Sequence, residues 1–167
     1  DGKNTLYTEE LTYNVKTKIG KYFKGGTLQT EETTVSSNEG TYNGFTKQTL
    51  FVNDIIITNP KYTIESQELT YNTENKVIKF LAKSTIIGEN TTVYTTGGTY
   101  DSKNEKAFFN TRTTVENDDQ IITGNTLQYN DKNGDGKATG NVVIVDKKNN
   151  SKIMANVAEY NRISGYG

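Results

Sequence analysis

The chain has 167 residues, enough for one ordinary domain with its own core, and its 19 basic and 20 acidic side chains nearly cancel. That balance excludes an electrostatic nucleic-acid binder, and no stretch is apolar for long enough to span a membrane or to form the core of a signal peptide. With no Cys and no His, the thiol nucleophile, the commonest general base and the commonest zinc ligands are missing, so no cofactor or metal site is expected and cysteine usage leaves the compartment open.

A content of 27 Thr, 20 Asn and 11 Tyr, with one Pro and no Trp, favours strands joined by polar turns. In chain order, strands are predicted at 5–13, 19–29, 33–42, 47–58, 62–71, 76–87, 91–100, 105–116, 120–129, 137–147 and 151–160. Short turns separate them, several carrying Asn-Gly or Asp-Gly, as at Asn43-Gly44 and Asn133-Gly134-Asp135-Gly136. Short connections join antiparallel neighbours, because a parallel crossover needs about a dozen residues or more. The fold class is therefore all-β, an up-and-down antiparallel meander.

The meander is periodic. Tyr13, Tyr42, Tyr71, Tyr100, Tyr129 and Tyr160 follow one another at gaps of 29, 29, 29, 29 and 31 residues. Seven positions before each stands an apolar side chain: Leu6, Val35, Ile64, Val93, Ile122 and Ile153. Five positions before, the residue is small: Thr8, Ser37, Ser66, Thr95, Gly124 and Ala155. Directly after each tyrosine comes Asn14, Asn43, Asn72, Asp101, Asn130 or Asn161. A period of this size marks stacked units that cannot bury their apolar faces alone.

Strands of ten to twelve residues, as predicted here, would run about 33–40 Å if straight, at roughly 3.3 Å per residue. The parity of the side chains shows that they bend. The apolar position at minus seven and the small one at minus five face one way, and the tyrosine has the opposite parity, so the inward face switches within the strand. A bend repeated at one level folds the sheet into two facing leaves, a β-taco around an apolar trough. The intervening strands add the pairs Tyr22 and Phe23, Leu50 and Phe51, Phe80 and Leu81, and Phe108 and Phe109, with Ile55, Ile57, Ile86, Val115, Val142 and Ile144 beyond them. The series Leu11, Gly40, Leu69, Gly98, Leu127, Ala158 alternates large and small, which predicts periodic gaps in the lining. A dry packed core is the alternative fate of the same residues.

The phrases Glu10-Leu11-Thr12-Tyr13-Asn14, Glu68-Leu69-Thr70-Tyr71-Asn72, Thr126-Leu127-Gln128-Tyr129-Asn130, Gly140-Asn141-Val142-Val143-Ile144 and Ala158-Glu159-Tyr160-Asn161 resemble the OstA-like (organic solvent tolerance, LptA-type lipopolysaccharide-transport) family over nearly the whole chain. The resemblance implies a twisted, partly open β-jelly roll that is periplasmic, non-enzymatic and active in outer-membrane biogenesis. The partners it implies are lipid A, lipopolysaccharide or another acyl lipid, and other OstA-like domains joined end to end by strand pairing. The lipid-groove lining expected on this basis is Leu6, Val35, Ile64, Val93, Ile122 and Ile153 with Tyr13, Tyr42, Tyr71, Tyr100, Tyr129, Phe51, Phe80 and Phe109. The chain reads as a single domain over 1–167, exported with its signal peptide absent, and the half-unit at 154–160 points to an array continuing past Gly167.

Two other readings belong to different classes. One is a structural or adhesive scaffold with a packed interior and polar Thr and Asn faces that bind carbohydrate or protein. The other is a glycan-active enzyme, which needs a non-repeating carboxylate pair. Glu10, Glu39, Glu68 and Glu159 instead recur with the repeat, as solvated strand faces do, and Lys47, Lys79 and Lys106 read the same way. The segment Asp131-Lys132-Asn133-Gly134-Asp135-Gly136 imitates the first half of a calcium loop, but its twelfth position is Val142, so it reads as a turn.

Overall fold

A period-two alternation that changes phase once per run sets the architecture. The computed structural model describes residues 4–161, whose regular elements are all β-strands. Seven of the eleven predicted runs resolve into two strands each, and four run through. The first three give β1 (Thr5–Thr8) and β2 (Thr12–Asn14), β3 (Ile19–Tyr22) and β4 (Gly26–Gln29), then β5 (Thr34–Ser37) and β6 (Glu39–Asn43). The continuous strands β7 (Gln48–Asn59) and β8 (Tyr62–Asn72) follow. Next come β9 (Val77–Phe80) and β10 (Ser84–Ile87), β11 (Thr91–Thr95) and β12 (Gly98–Asp101), β13 (Lys106–Phe109) and β14 (Thr113–Asn117), and β15 (Gln120–Gly124) and β16 (Thr126–Asn130). The continuous strands β17 (Asp135–Asp146) and β18 (Ser151–Asn161) complete the described chain.

All pairings are antiparallel and sort into two leaves. The first leaf runs β1, β4, β5, the second half of β7, the first half of β8, β10, β11, β14, β15, the second half of β17 and the first half of β18. The second leaf runs β2, β3, β6, the first half of β7, the second half of β8, β9, β12, β13, β16, the first half of β17 and the second half of β18. Each run therefore contributes one half to each leaf. The phase change is visible inside β8, where Tyr62, Ile64 and Ser66 are buried, and then Leu69 and Tyr71. In β7 a bulge carries the bend: the register slips between Val52 and Ile55, and Asn53 and Asp54 take φ of 63° and 51°. β17 repeats the device between Thr139 and Val142, with Gly140 at 77° and Asn141 at 46°.

The residue after Tyr13, Tyr42, Tyr71 and Tyr100 caps a turn of the second leaf. Asn72 Oδ1 accepts the backbone N–H groups of Glu74 (2.9 Å) and Asn75 (3.1 Å). Asn14, Asn43 and Asp101 each accept from the same two positions of their own turns. A short acceptor in this place satisfies donors that have no ladder partner. Successive turns are also tied to one another. Gly44 donates to the Lys18 carbonyl (2.8 Å), Thr73 to Lys47 (3.0 Å), Ser102 to Lys76 (3.1 Å) and Asp131 to Glu105 (2.8 Å). The accepting residues Lys18, Lys47, Lys76 and Glu105 all sit at positive φ, which aims these carbonyls along the stack.

The calcium-like segment is one more such turn. Gly134 donates to the Asn130 carbonyl (2.8 Å), and the Asn133 amide bonds Asp135 Oδ2 (2.7 Å). Among the described residues no group of three or more metal-binding side chains is gathered, and no helix is long and apolar enough to cross a membrane. The turn expected after Tyr160 and the unit expected beyond Gly167 lie outside the described residues.

Replacing Asn72 by Ala should cost about 1 kcal/mol, as loss of a comparable cap does, whereas Asn72→Asp keeps the acceptor and should cost little at neutral pH. Urea unfolding of the two variants measures both effects.

Candidate functional site

Between the leaves, the inward side chains form continuous rows across the strands. On the first leaf the row is entirely aliphatic. Leu6 faces Leu28, followed by Val35, Ile57, Ile64, Ile86, Val93, Val115, Ile122, Ile144 and Ile153, each opposite the next. On the second leaf, all six repeated tyrosines share one row with smaller or aliphatic partners: Tyr13, Gly20, Tyr42, Thr49, Tyr71, Ile78, Tyr100, Ala107, Tyr129, Gly136 and Tyr160. A third row, nearer the bend, holds Tyr22, Phe51, Leu69, Phe80, Phe109 and Leu127, all buried. The residues expected to line an interior thus fall into three rows facing one enclosed space.

Two expectations about the lining are corrected. Of the apolar pairs on the intervening strands, only one member of each turns inward: Phe23, Leu81 and Phe108 stand on the outer face and are exposed, and Leu50 has the same outward parity. A strand that alternates cannot send adjacent residues to the same side. The gaps expected at Gly40 and Gly98 are filled. A Cβ on Gly40 would lie 2.3 Å from the Tyr22 ring, and one on Gly98 would lie 2.4 Å from the Phe108 carbonyl and 3.0 Å from the Phe109 ring. These glycines are seats for aromatic rings and backbone, not voids.

At the bend itself lies a row of hydroxyls whose role the small size at minus five did not disclose. Ser66 and Ser84 share a hydrogen bond of 2.8 Å, and so do Thr95 and Thr113. Tyr22 and Ser37 share one of 2.6 Å. The same hydroxyls lie within hydrogen-bonding distance of nearby carbonyls, Ser37 of Glu39 (2.8 Å), Ser84 of Ala82 (2.8 Å), Thr95 of Gly97 (2.8 Å) and Thr113 of Thr111 (2.9 Å), each proton serving one acceptor at a time. No buried side-chain nitrogen or oxygen among the described residues lacks a partner. The signal was present, because the column reads Thr, Ser, Ser, Thr before it reaches Gly124 and Ala155.

The interior is not uniform along its length. From β3 to β9 it is dry, with Val35, Phe51, Ile57, Ile64, Leu69 and Ile78 all fully buried. Farther on, Ile86, Val93, Val115, Ile122 and Ile144 are only half-buried, and Ile153 is 57% exposed. Tyr13, at the other end, is 47% exposed. Where the interior is dry, the leaf margins touch. Tyr62 of the first leaf packs edge-on against Tyr100 of the second, ring centroids 5.3 Å apart. Lys61 pairs with Glu105.

Burial in this seam raises the tyrosine hydroxyls. Tyr100 is pushed up to about 12, first by desolvation and then by the charges of Asp131 and Asp101. Tyr62 is raised still further, chiefly by desolvation. Tyr71 and Tyr22 are raised by burial, each moderated by its hydroxyl partner. These groups are neutral at physiological pH and serve as packing and hydrogen-bonding elements, not as acids or bases.

The site thus defines a class: a two-leaved antiparallel β-protein whose interior is an aliphatic and aromatic trough, closed by contact over part of its length. A match to the OstA-like protein family covers residues 1–67. Among solved structures, the chain resembles the crystal structure of LptH, the LptA homologous periplasmic component of the conserved lipopolysaccharide transport device from Pseudomonas aeruginosa. The TM-score is 0.54 at 10% identity, over 59% of this chain and 75% of the LptH chain. At that identity the likeness is one of fold. No curated protein sequence matches the chain.

Two outcomes follow from the packing. Gly40→Ala should destabilise the protein by about 1–3 kcal/mol through overpacking against Tyr22, measurable by denaturant unfolding. Because Tyr100 ionises near 10 when unfolded and at about 12 when folded, its contribution is complete below pH 10 and is lost as pH rises toward 12. Melting temperature should fall across that window together with the appearance of tyrosinate absorbance.

Proposed function

We propose that the chain is a non-enzymatic periplasmic segment that holds the acyl chains of a lipid, lipopolysaccharide being the first candidate, in the trough between its leaves and serves as part of a bridge toward the outer membrane. In this reading the chain is one domain over 1–167, a partly open β-jelly roll, or β-taco, of about 29-residue repeats. The observation that carries the proposal is the unbroken aliphatic row of the first leaf, whose later members Val93, Val115, Ile122 and Ile144 face inward yet remain partly accessible. A core that only had to pack would bury them. Each CH₂ moved from water onto such a surface gains about 0.8 kcal/mol, so a short acyl segment is held firmly but without a covalent or ionic tie. The OstA-like match over 1–67 and the shared fold with LptH support the same function.

The terminal strands support assembly end to end. β18 pairs with β17 on one side, and its other side carries a ladder of backbone groups eleven residues long, with Met154 and Val157 exposed along it. β1 and β2 terminate the leaves at the other end. Such edges pair with a further strand of another OstA-like domain.

The scaffold reading has one observation in its favour, the dry packing from β3 to β9. Titration with a fluorescent fatty acid, followed by displacement with lipid A, separates the two. Saturable binding that weakens at least tenfold in Ile144→Asp, about 1.4 kcal/mol, is the expected result. Failure of the native chain to bind either probe would leave the scaffold reading in possession.

A further inference from the structure

The repeat is broken at a few positions, and the broken positions meet. At the place in the unit held by Tyr62, the other units have Thr33, Thr91, Gln120 and Ser151; at the place held by Glu105, the three preceding units have Lys18, Lys47 and Lys76. The chain's one proline, Pro60, lies in the turn between β7 and β8. These departures gather at one spot. The Pro60 turn is braced by Asn59, whose Oδ1 accepts the Lys61 N–H (3.0 Å) and whose amide donates to Thr33 (3.1 Å). It carries Lys61 to Glu105 and Tyr62 to Tyr100, across from one leaf to the other. A lysine at 105, like its counterparts, would repel Lys61. Glu105 also keeps the positive φ of that series, 56°, so only the charge has been reversed and the backbone role retained.

We infer that the Lys61–Glu105 and Tyr62–Tyr100 contacts form a seam that divides the trough, confining acyl chains to the part between β14 and β18 and excluding them from the part between β3 and β9. This rests on the lipid reading above and makes it specific. Burial changes across the seam in the required sense: the aliphatic row is fully buried at Val35, Ile57 and Ile64, and partly accessible at Val115, Ile122 and Ile144. Toward β18 the row beside the bend ends in the small residues Ala138 and Ala158, after Phe109 and Leu127, where between β3 and β9 it has Tyr22, Phe51, Leu69 and Phe80. The aliphatic row is less completely buried on this side, which is where an acyl chain would find room. A chain can pass the seam only when the leaf margins part, and the ion pair is the contact most easily released, because Lys61 is largely exposed.

The test is photolabelling of the native chain with a fatty acid bearing a terminal alkyl diazirine, followed by mapping of labelled peptides by mass spectrometry. Labels should fall on residues 113–158 and be at least five-fold weaker on residues 34–71. Lys61→Glu, a surface change that sets two carboxylates against each other, should raise labelling of 34–71 several-fold. The exchanged pair Lys61→Glu/Glu105→Lys should restore the native pattern. Equal labelling of both regions in the native chain overturns the seam and leaves lipid binding intact, as does a Lys61→Glu pattern identical to the native one with circular dichroism unchanged. Absence of label anywhere overturns the lipid reading itself.

Discussion

Everything in this molecule depends on how the backbone satisfies its hydrogen bonds where each strand bends. A strand that leaves its ladder halfway along exposes carbonyls and amides in the interior, where an unpaired group costs of the order of 1–3 kcal/mol. Repeated in run after run, that cost would exceed the stability of a domain this size. Hydroxyls stand where the strands bend: Ser37, Ser66, Ser84, Thr95 and Thr113 bond one another or Tyr22 and lie within reach of nearby backbone carbonyls. With the bend satisfied, each run serves both leaves, and its inward face can change parity without leaving a polar group stranded.

The rows follow directly. Because every run bends at the same level, residues seven before the tyrosine can meet only their counterparts across each neighbouring strand, and the aliphatic row results. In the tyrosine row the rings alternate with shorter side chains, Gly20, Thr49, Ile78, Ala107 and Gly136. The row beside the bend works by the converse rule, glycine at 40 and 98 receiving the rings or backbone of the strands alongside. Regular repetition alone would give an interior of constant width. The margins touch at Tyr62–Tyr100 and Lys61–Glu105, and the aliphatic row is fully buried at Val35, Ile57 and Ile64 but half-buried at Val115, Ile122 and Ile144.

Much of this was legible because period and parity are properties of the linear chain. The spacing of Tyr71, Ile64 and Ser66 is enough to require a bend between residues 66 and 69, which is where β8 changes face. The asparagine after each tyrosine could be recognised as punctuation, but its action as a double acceptor, as at Asn72, depends on turn geometry that spacing does not state. The neighbouring apolar pairs were harder. Phe80 and Leu81 are equally apolar, and only their position relative to the bend decides that Phe80 is buried and Leu81 exposed. Gly40 and Gly98 looked like gaps because the rings that occupy them come from other runs.

The sequence by itself determined the strands, their antiparallel order, the level of the bend and the identity of each row, because hydrophobic periodicity and turn residues act through neighbours along the chain. Only the tertiary structure decided which stretch of the interior is dry and which is accessible. Equally tertiary are contacts between residues 44 positions apart, such as Lys61 and Glu105, and rings such as Tyr22 seated over glycines of another strand. Those are matters of distance between leaves, and no local pattern of side chains contains them.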